Sequence, residues 1–290
     1  MSQAQNITPR PVAQASGLTP PDALGGEFFT VLDTFSGIGG FSLGLERTGR
    51  FKTVAFCEMD AYCQEVLKQH WEGIPIYDYI EDVTAGRLLQ DGIGRVDVIT
   101  GGFPCQDVST AGSMWFTPEG TNAPRSGLWG ELARLIGEVR PRYAIMENVP
   151  NLIAGDGGRW FGRILSDLAE IGFDAEWHCI PASGIGAPHR RERVWIIAYP
   201  SEQGLQGSSE AGNDSSQGQE RGYQLFTGCS GVPWRAWEAE PSVGRVVVGL
   251  PRRVDRIKAL GNSIVPQIAE ELGRAIISID ETKHQMQTQE

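Results

Sequence analysis

The sequence predicts an α/β fold in which a mostly parallel sheet carries helices on both of its faces. From Glu27 to about Pro200, short apolar runs of strand length alternate with amphipathic stretches of helical length. That alternation is typical of successive strand–helix–strand units, which build parallel sheets. Glycine-rich turns and carboxylates also follow several of the apolar runs. Parallel sheets of this kind bind ligands at the carboxyl ends of their strands.

Each element follows from its pattern of apolar residues. Five short apolar runs are predicted to be buried strands: Phe28–Leu32, Thr53–Cys57, Val96–Thr100, Tyr143–Met146 and Val194–Ala198. Three longer stretches between them are predicted to be helices: Ala61–His70, Leu128–Val139 and Trp160–Ile171. In the last of these, apolar residues recur three and four positions apart and so share one helical face. A final helix is predicted for Val265–Ile277, after the tight turn at Gly261–Ser263.

Composition divides the 290 residues into a main domain and flanking segments. Residues 1–26 are expected to be a disordered N-terminal tail, and residues 27–200 the main domain. Residues 201–249 form a short insert whose first part, Ser201–Gly231, is rich in Ser, Gly and Gln and is expected to be mobile. Residues 250–282 are expected to return to the main domain, and 283–290 to form a tail.

The five cysteines are scattered, which argues against a disulfide framework and against a zinc site. No apolar run approaches the length of a membrane span. We therefore expect a reduced, cytoplasmic protein that binds neither a membrane nor a structural metal.

A glycine-rich turn, Asp33–Gly40, follows the first predicted strand and opens a helix. Glycines allow a ligand to approach the backbone, and a helix N-terminus offers free N–H groups. The spacing departs from the dinucleotide pattern, because Ser42 stands where the last glycine would be. Glu58, after the next strand, could hold ribose hydroxyls. For Glu58 and Asp82 alike, an ordinary exposed acid is an equally good interpretation.

Two further loops carry reactive side chains. Cys105 lies in a Gly/Pro loop after the strand Val96–Thr100, where a nucleophile would be presented, although a free cysteine is more often a small buried hydrophobe. A nucleophilic thiol needs a lowered pKa, to which Arg191 and Arg193 could contribute. Glu147 follows the run Tyr143–Met146, and burial there would raise its pKa and suit it to proton donation. The alternative is an acid that caps the following turn.

Taken together and in order, these motifs resemble those of the DNA cytosine-5 methyltransferases over about Phe28–Pro200 and Leu250–Glu271. The motifs that carry the resemblance are Phe35–Gly40, Glu58, Asp82, Pro104-Cys105-Gln106, Ser126-Gly127-Leu128, Glu147-Asn148-Val149 and Gly261–Pro266. One departure is His189, which stands where the family usually has Gln, while Arg191 and Arg193 match.

The resemblance implies a Rossmann-like, S-adenosylmethionine-dependent methyltransferase fold with a small target-recognition insert at 201–249. It assigns catalysis to Cys105, Glu147, Arg191 and Arg193. Arg193 would hold the cytosine O2, and Arg191 would orient the catalytic loop. The resemblance also implies a binding site for S-adenosylmethionine and its product S-adenosylhomocysteine. The residues of this site would be Phe35, Ser36, Gly37, Gly39, Gly40, Glu58, Asp82, Leu128, Asn262 and Ser263. DNA contacts are expected from Gln106, Ser109, Arg252, Arg253 and Arg256.

The implied reaction is methylation of C5 in a flipped cytosine of double-stranded DNA through a covalent bond from Cys105 to C6. The resemblance also implies DNA methylation within a prokaryotic or phage restriction–modification system, with a cognate endonuclease, and a monomer. Two alternatives stay open: an RNA cytosine-5 methyltransferase with the same core, and a non-catalytic DNA-binding relative.

Net charge argues against DNA binding, because 25 Lys and Arg against 36 Asp and Glu give −11, whereas DNA-binding domains usually show a basic surface. Binding needs only a local basic face, however. Two segments could provide one, Arg190–Arg193 and Arg245–Lys258. We expect them to line one cleft that opens onto Cys105. Trp234 and Trp237 could form a platform near the major groove or pin the insert to the core.

Overall fold

The computed structural model describes residues 28–104, 127–201 and 252–287. Its strands are β1 (Phe29–Thr34), β2 (Phe51–Cys57), β3 (Ile76–Tyr77), β4 (Val98–Gly101), β5 (Tyr143–Asn148), β6 (Phe173–Pro181) and β7 (Glu192–Pro200). Its α-helices are α1 (Gly40–Glu46), α2 (Ala61–His70), α3 (Ala85–Gln90), α4 (Leu128–Val139), α5 (Asn151–Ala154), α6 (Arg159–Glu170), α7 (Arg253–Asn262) and α8 (Pro266–Gln287). Short 3-10 turns occupy Ile80–Asp82, Gly155–Gly158 and Ala182–Ile185.

The strands form one seven-stranded sheet in the order β3-β2-β1-β4-β5-β7-β6. Strands β1 to β5 run parallel, and β7 lies antiparallel between β5 and β6. Because β7 is reversed, its first residues lie at the same edge as the last residues of the parallel strands. The sheet is therefore mostly parallel, as expected, and the antiparallel pair brings a second set of side chains to its ligand-binding edge.

Each face of the sheet has its own apolar core, because side chains alternate between the faces along every strand. On one face, Leu32, Ile99 and Met146 pack against α4 and α6. On the other, Val31, Val98 and Ile145 pack against α1 and α8, and Trp195 of β7 lies edge-on to Phe41 of α1. The result is three layers, helix–sheet–helix, with little of the central strands exposed.

Helices α1 and α8 touch where their side chains are smallest. A Cβ built on Gly44 of α1 would lie 2.1 Å from the Pro266 carbonyl oxygen and 2.8 Å from the Ala269 Cβ. A Cβ on Gly273 of α8 would lie 3.1 Å from Leu45 and Thr48. Glycine at these positions lets the two backbones approach closely, so α8 seals the face that α1 only partly covers.

The expected elements are present, with bounds that differ by at most two residues except at the end of α8, and the structure adds β3, β6, α3, α5 and α7. Helices α2 and α4 have the predicted bounds, and α6 begins one residue earlier than predicted. Helix α8 continues to Gln287, past Ile277 and across the expected boundary at 282. The part of α8 that follows Ile277 is held to the domain by ion pairs, from Arg142 to Asp280 and from Arg50 to Glu281.

Among the described residues, no helix combines the length and apolar character that crossing a membrane requires. The expected tail at 1–26 lies outside the described residues, as does the expected insert apart from Ser201.

Candidate active site

The sheet topology brings the predicted site residues to one edge. Strands β1, β2, β4 and β5 end at Thr34, Cys57, Gly101 and Asn148, and each is followed by one of the motifs. In the antiparallel pairing of β5 with β7, Glu147 lies opposite Trp195 and Asn148 opposite Val194. Arg191 and Arg193 at the start of β7 therefore lie beside the end of β5.

The glycine-rich turn after β1 has a backbone conformation that suits glycine. Gly37 and Gly39 have φ angles of +54° and +81°, and Phe35 has a φ of +50°. A Cβ on Gly37 would meet no atom within 4 Å, so the space beside it is open. A Cβ on Gly39 would lie 2.6 Å from the Trp71 ring. Ser36 is buried and donates its hydroxyl to the Asp33 and Cys57 carbonyl oxygens at 2.5 and 3.2 Å.

Glu58 is joined to this turn by its carboxylate. One oxygen accepts the Gly37 N–H at 2.7 Å, and the other accepts the Asp60 N–H at 2.8 Å. A carboxylate offers about four acceptor positions. These two hydrogen bonds therefore leave capacity for ligand hydroxyls on a side chain that is only partly buried.

Acidic side chains surround the end of β2. Burial, together with the negative charges of Glu58, Glu81, Asp78 and Asp82, raises the pKa of the Cys57 thiol to about 12. Asp82 ends the 3-10 turn Ile80–Asp82 and is exposed. The edge of the sheet next to the glycine-rich turn thus has a negative potential, which favours a positively charged ligand.

Asp33 was not singled out by the sequence, although it occupies the buried strand β1 within the motif. Its carboxylate accepts hydrogen bonds from the Thr100 hydroxyl at 2.7 Å, the Ser42 hydroxyl at 2.8 Å and the Ser42 N–H at 3.3 Å. Burial raises its pKa to about 6 despite these donors. It ties β1, β4 and the first turn of α1 together beneath the glycine-rich turn. An acid inside an apolar strand was the available signal.

Glu147 is buried at the end of β5 and forms an ion pair with Arg193, whose Nε lies 2.9 Å from Oε1. Burial raises the Glu147 pKa to about 6, while the charges of Arg193 and Arg191 act in the opposite direction. A Cβ on Gly102 would lie 3.5 Å from Glu147 Oε2, so that glycine leaves room beside the carboxyl group. The site therefore holds a carboxyl group that can exchange a proton near neutral pH.

Asn148 connects Glu147 to the loop that leads to Cys105. Its Nδ2 donates to the Phe103 carbonyl oxygen at 2.9 Å, and its Oδ1 accepts the Val149 N–H at 2.8 Å. Phe103 is buried against Trp129, at a ring separation of 5.1 Å. The backbone at Phe103–Pro104 is thus fixed next to Glu147. Cys105, Gln106, Ser109 and Ser126 lie outside the described residues.

The C-terminal segment meets the site through Arg191. Its Nη2 donates to the Gly261 carbonyl oxygen at 2.9 Å and also to the Ser263 carbonyl oxygen. A Cβ on Gly40 would lie 3.1 Å from Ser263 Oγ, so the turn after α7 abuts the start of α1. Asn262 is exposed at the end of α7. Leu128, the first residue of α4, packs on the core around Met146.

The basic residues of α7 are directed partly at the chain's own acids. Arg252 forms an ion pair with Glu65 and lies 5.7 Å from the centroid of the Tyr62 ring. Lys258 pairs with Asp60 at 2.9 Å. Arg256 is exposed, and the Arg253 side chain lies outside the described part of the chain. Arg191 contacts the end of α7, but residues 245–251 and Cys105 lie outside the described residues, so the expected cleft stays a prediction.

Comparison with known proteins agrees with this arrangement. A family model described as C-5 cytosine-specific DNA methylase matches residues 29–231. The Bacillus subtilis (strain 168) Type II methyltransferase M2.BsuMI is 32% identical over 230 residues, covering 73% of this chain and 55% of that protein. The Lactococcus lactis subsp. cremoris Type II methyltransferase M1.ScrFI is 34% identical over 171 residues, covering 59% of this chain and 41% of that protein. The chain thus spans about half the length of these relatives or less.

Among solved structures, the S. pombe Dnmt2 methyltransferase aligns at 18% identity with a TM-score of 0.46, covering 62% of this chain and 53% of that one. The family model covers well over half of the chain, and the motifs it spans include both the glycine-rich turn and the Glu147–Arg193 pair. The chain belongs to the C-5 cytosine-specific DNA methylase family.

Proposed function

We propose that this chain methylates C5 of cytosine in double-stranded DNA, with S-adenosylmethionine as methyl donor and Cys105 as nucleophile. The observation that carries the proposal is the ion pair, at 2.9 Å, between buried Glu147 and half-buried Arg193. It lies beside the fixed backbone of Phe103–Pro104 that leads directly to Cys105. The Glu147 carboxyl group and the Arg193 guanidinium lie side by side. The carboxyl group can therefore face N3 of a cytosine while the guanidinium faces O2. The description of the matching family, C-5 cytosine-specific DNA methylase, supports the same substrate class.

The residues at the glycine-rich turn fit S-adenosylmethionine. The open space at Gly37 admits a ligand against the backbone, and the Glu58 carboxylate has acceptor capacity for ribose hydroxyls. Asp82 would accept from the adenine amino group. The acidic surroundings of Cys57 suit a donor whose sulfur is positively charged. When bound, S-adenosylmethionine supplies an electrophilic methyl group.

The residues of this chain would act in sequence on an extruded cytosine, whose removal from the stack costs a few kcal/mol. The Cys105 thiolate adds to C6, and Glu147 donates a proton to N3 as electrons move onto the ring. Arg193 holds O2. C5 then takes the methyl group and loses its proton to a base. The C6–S bond breaks to release Cys105 as a thiolate, and the N3 proton returns to Glu147. Burial raises the Glu147 pKa to about 6, which favours proton donation near neutral pH.

Double-stranded DNA containing 5-fluorocytosine tests the proposal, because fluorine at C5 does not leave as a proton does. We expect an adduct attached at Cys105, and no adduct with the Cys105→Ala variant, which should still bind S-adenosylhomocysteine. Bisulfite sequencing of DNA from cells that express the protein would report the methylated site. An adduct on RNA alone would move the chain to the RNA-modifying alternative, and attachment at another cysteine would remove Cys105 from its role.

A further inference from the structure

Arg191 occupies a position between the two halves of the proposed site. It precedes β7 directly, one residue before Glu192 and two before Arg193, which pairs with Glu147. Its half-buried guanidinium turns toward the C-terminal segment, where Nη2 donates to the Gly261 carbonyl oxygen at 2.9 Å and to that of Ser263. Two carbonyls on either side of Asn262 are thus held by one side chain.

These carbonyls belong to the end of a helix. The last carbonyls of α7 have no partner within the helix, and a positive charge near them is favourable. The Ala259 carbonyl oxygen accepts a hydrogen bond from the backbone N–H of Ser263 at 2.9 Å. The guanidinium satisfies the Gly261 carbonyl and fixes the direction in which the chain leaves α7. Both bonds come from Nη2, and the planar guanidinium holds its N–H groups in fixed directions, whereas an ammonium group is a point charge on a flexible stem.

The turn that Arg191 holds lies against the glycine-rich turn. A Cβ on Gly40 would be 2.7 Å from Ile264 Cγ1 and 3.1 Å from Ser263 Oγ. Gly40 begins α1, directly after the Phe35–Gly39 turn. Displacement of Ser263 or Ile264 therefore removes the support of the first turn of α1. A continuous line of contacts runs from β7 through Arg191 and Ser263 to the backbone that faces the proposed methyl donor.

We propose that Arg191 is a positioning residue for S-adenosylmethionine, whose guanidinium fixes the Gly261–Ser263 turn against the start of α1. The proposal rests on the proposed function, and it adds a contact to the role expected from the family resemblance, which concerned only the loop that contains Cys105. On this view, one arginine joins the donor pocket to the strand that carries the cytosine-binding pair.

The test is calorimetric binding of S-adenosylhomocysteine to the protein without DNA. Arg191→Ala should weaken binding about tenfold or more, which is the usual effect of losing hydrogen bonds to a charged group. Arg191→Lys should recover part of the affinity. Arg190→Ala removes the same charge from an exposed neighbour and should bind like the parent protein. Millimolar guanidinium ion should restore binding to Arg191→Ala, while the same concentration of ammonium ion should not.

Unchanged affinity in Arg191→Ala would overturn the proposal and leave Arg191 with a role in catalysis alone. Hydrogen exchange without ligand provides a second, independent measurement. Amides of the 261–265 and 37–43 segments should exchange faster in Arg191→Ala than in Arg190→Ala, and equal rates would also overturn it. If the parent protein itself fails to bind S-adenosylhomocysteine, the proposed function fails, while the exchange measurement still tests the contact.

Discussion

At the scale of single residues, the site is built from carboxyl groups whose surroundings give them different protonation behaviour. Asp33 and Glu147 are both buried, and burial raises the pKa of each to about 6. Asp33 faces hydroxyl and amide donors, whereas Glu147 faces a guanidinium. Glu58 is only partly buried and accepts two backbone N–H groups. The first is suited to hold structure, the second to exchange a proton, and the third to bind hydroxyls.

Replacement of Glu58 should weaken binding of S-adenosylhomocysteine. Charge-assisted hydrogen bonds contribute about 1.5–3 kcal/mol each, so Glu58→Ala should raise the dissociation constant by about one to two powers of ten. Calorimetry measures this directly. An analogue that lacks the ribose hydroxyls serves as the control, because its affinity should fall much less. Equal losses for both ligands would mean that Glu58 acts only through the glycine-rich turn.

The titration of Glu147 should respond to its partner. Arg193 lowers the pKa of Glu147 against the larger effect of burial, so Arg193→Gln should move that pKa upward from about 6. Carboxyl carbon chemical shifts recorded against pH measure the titration, and the spectrum of Glu147→Gln identifies the resonance. Arg190→Ala is the matched control and should leave the titration in place. A downward movement in Arg193→Gln would contradict the statement that the charge of Arg193 lowers the Glu147 pKa.

Asp33 should make stability depend on pH. Its folded pKa of about 6 exceeds the ordinary value of 3.8, so between about pH 4 and 6 the folded chain holds a proton that the unfolded chain releases. The free energy of unfolding therefore falls as pH rises through this window, by up to about 1.4 kcal/mol per pH unit. Urea unfolding between pH 5 and 7 should show a smaller slope for Asp33→Asn. The exposed Asp174→Asn variant should keep the parent slope.

At the scale of elements, the site depends on contacts between segments that are distant in the chain. The first turn of α1 is held from below by Asp33 and from the side by Ser263 and Ile264. The latter two residues are fixed by Arg191 and by the packing of α8. The approach of α1 to α8 at Gly44 and Gly273 thus determines where the glycine-rich turn lies.

Gly44→Ala should test this packing. Its Cβ would collide with the Pro266 carbonyl oxygen at 2.1 Å, and overpacking of this kind destabilises by about 1–3 kcal/mol or more. Gly162→Ala is the matched control, because it lies in α6 with no atom within 4 Å of its Cβ. The control should gain roughly 0.5–1 kcal/mol from better helix propensity. Urea unfolding compares the two, and an equal gain in both would show that α1 and α8 can separate without cost.

Sequence patterns predicted the elements with a strong period and missed those without one. The apolar spacing of α2 and α4 predicted their bounds. Strand β6 was missed because it lies at the edge of the sheet, where polar residues such as Glu176 and His178 interrupt the apolar pattern and Trp177 is exposed. Patterns also placed Glu147 at a strand end. They could not show that Arg193 reaches it, because the antiparallel direction of β7 arises from long-range pairing. The bonds from Arg191 to Gly261 and Ser263 are likewise tertiary.

At the scale of the whole molecule, the proposed function requires a chain of net charge −11 to approach DNA. The described part of α7 shows how its charge is distributed: Arg252 and Lys258 pair with Glu65 and Asp60 of the α2 region, while Arg256 is exposed. Exposed ion pairs of this type contribute only about 0–1 kcal/mol. A phosphate group could therefore displace Glu65 from Arg252 at little cost.

Salt dependence of DNA binding should report these contacts. If Arg252, Arg253 and Arg256 each contact one phosphate, the triple alanine variant should flatten the slope of log affinity against log salt by about 3, similarly on target and non-target DNA. Glu65→Gln should tighten binding a few-fold by releasing Arg252. The exposed Glu72→Gln variant carries the same charge change and should show less effect. An unchanged slope in the triple variant would assign these arginines to pairing with the chain's own acids.

The position of α8 has a consequence for how the protein is made. One apolar face of the sheet is covered by Ile268, Leu272 and Ile276, which come near the end of the described chain. During translation, β1, β5 and β7 leave the ribosome well before their cover does, by several seconds at about 5–20 residues per second. In that interval Phe41 and Trp195 face water. The nascent chain therefore keeps this apolar face uncovered until α8 has been synthesised, and the start of α1 gains its support from Ser263 and Ile264 only then.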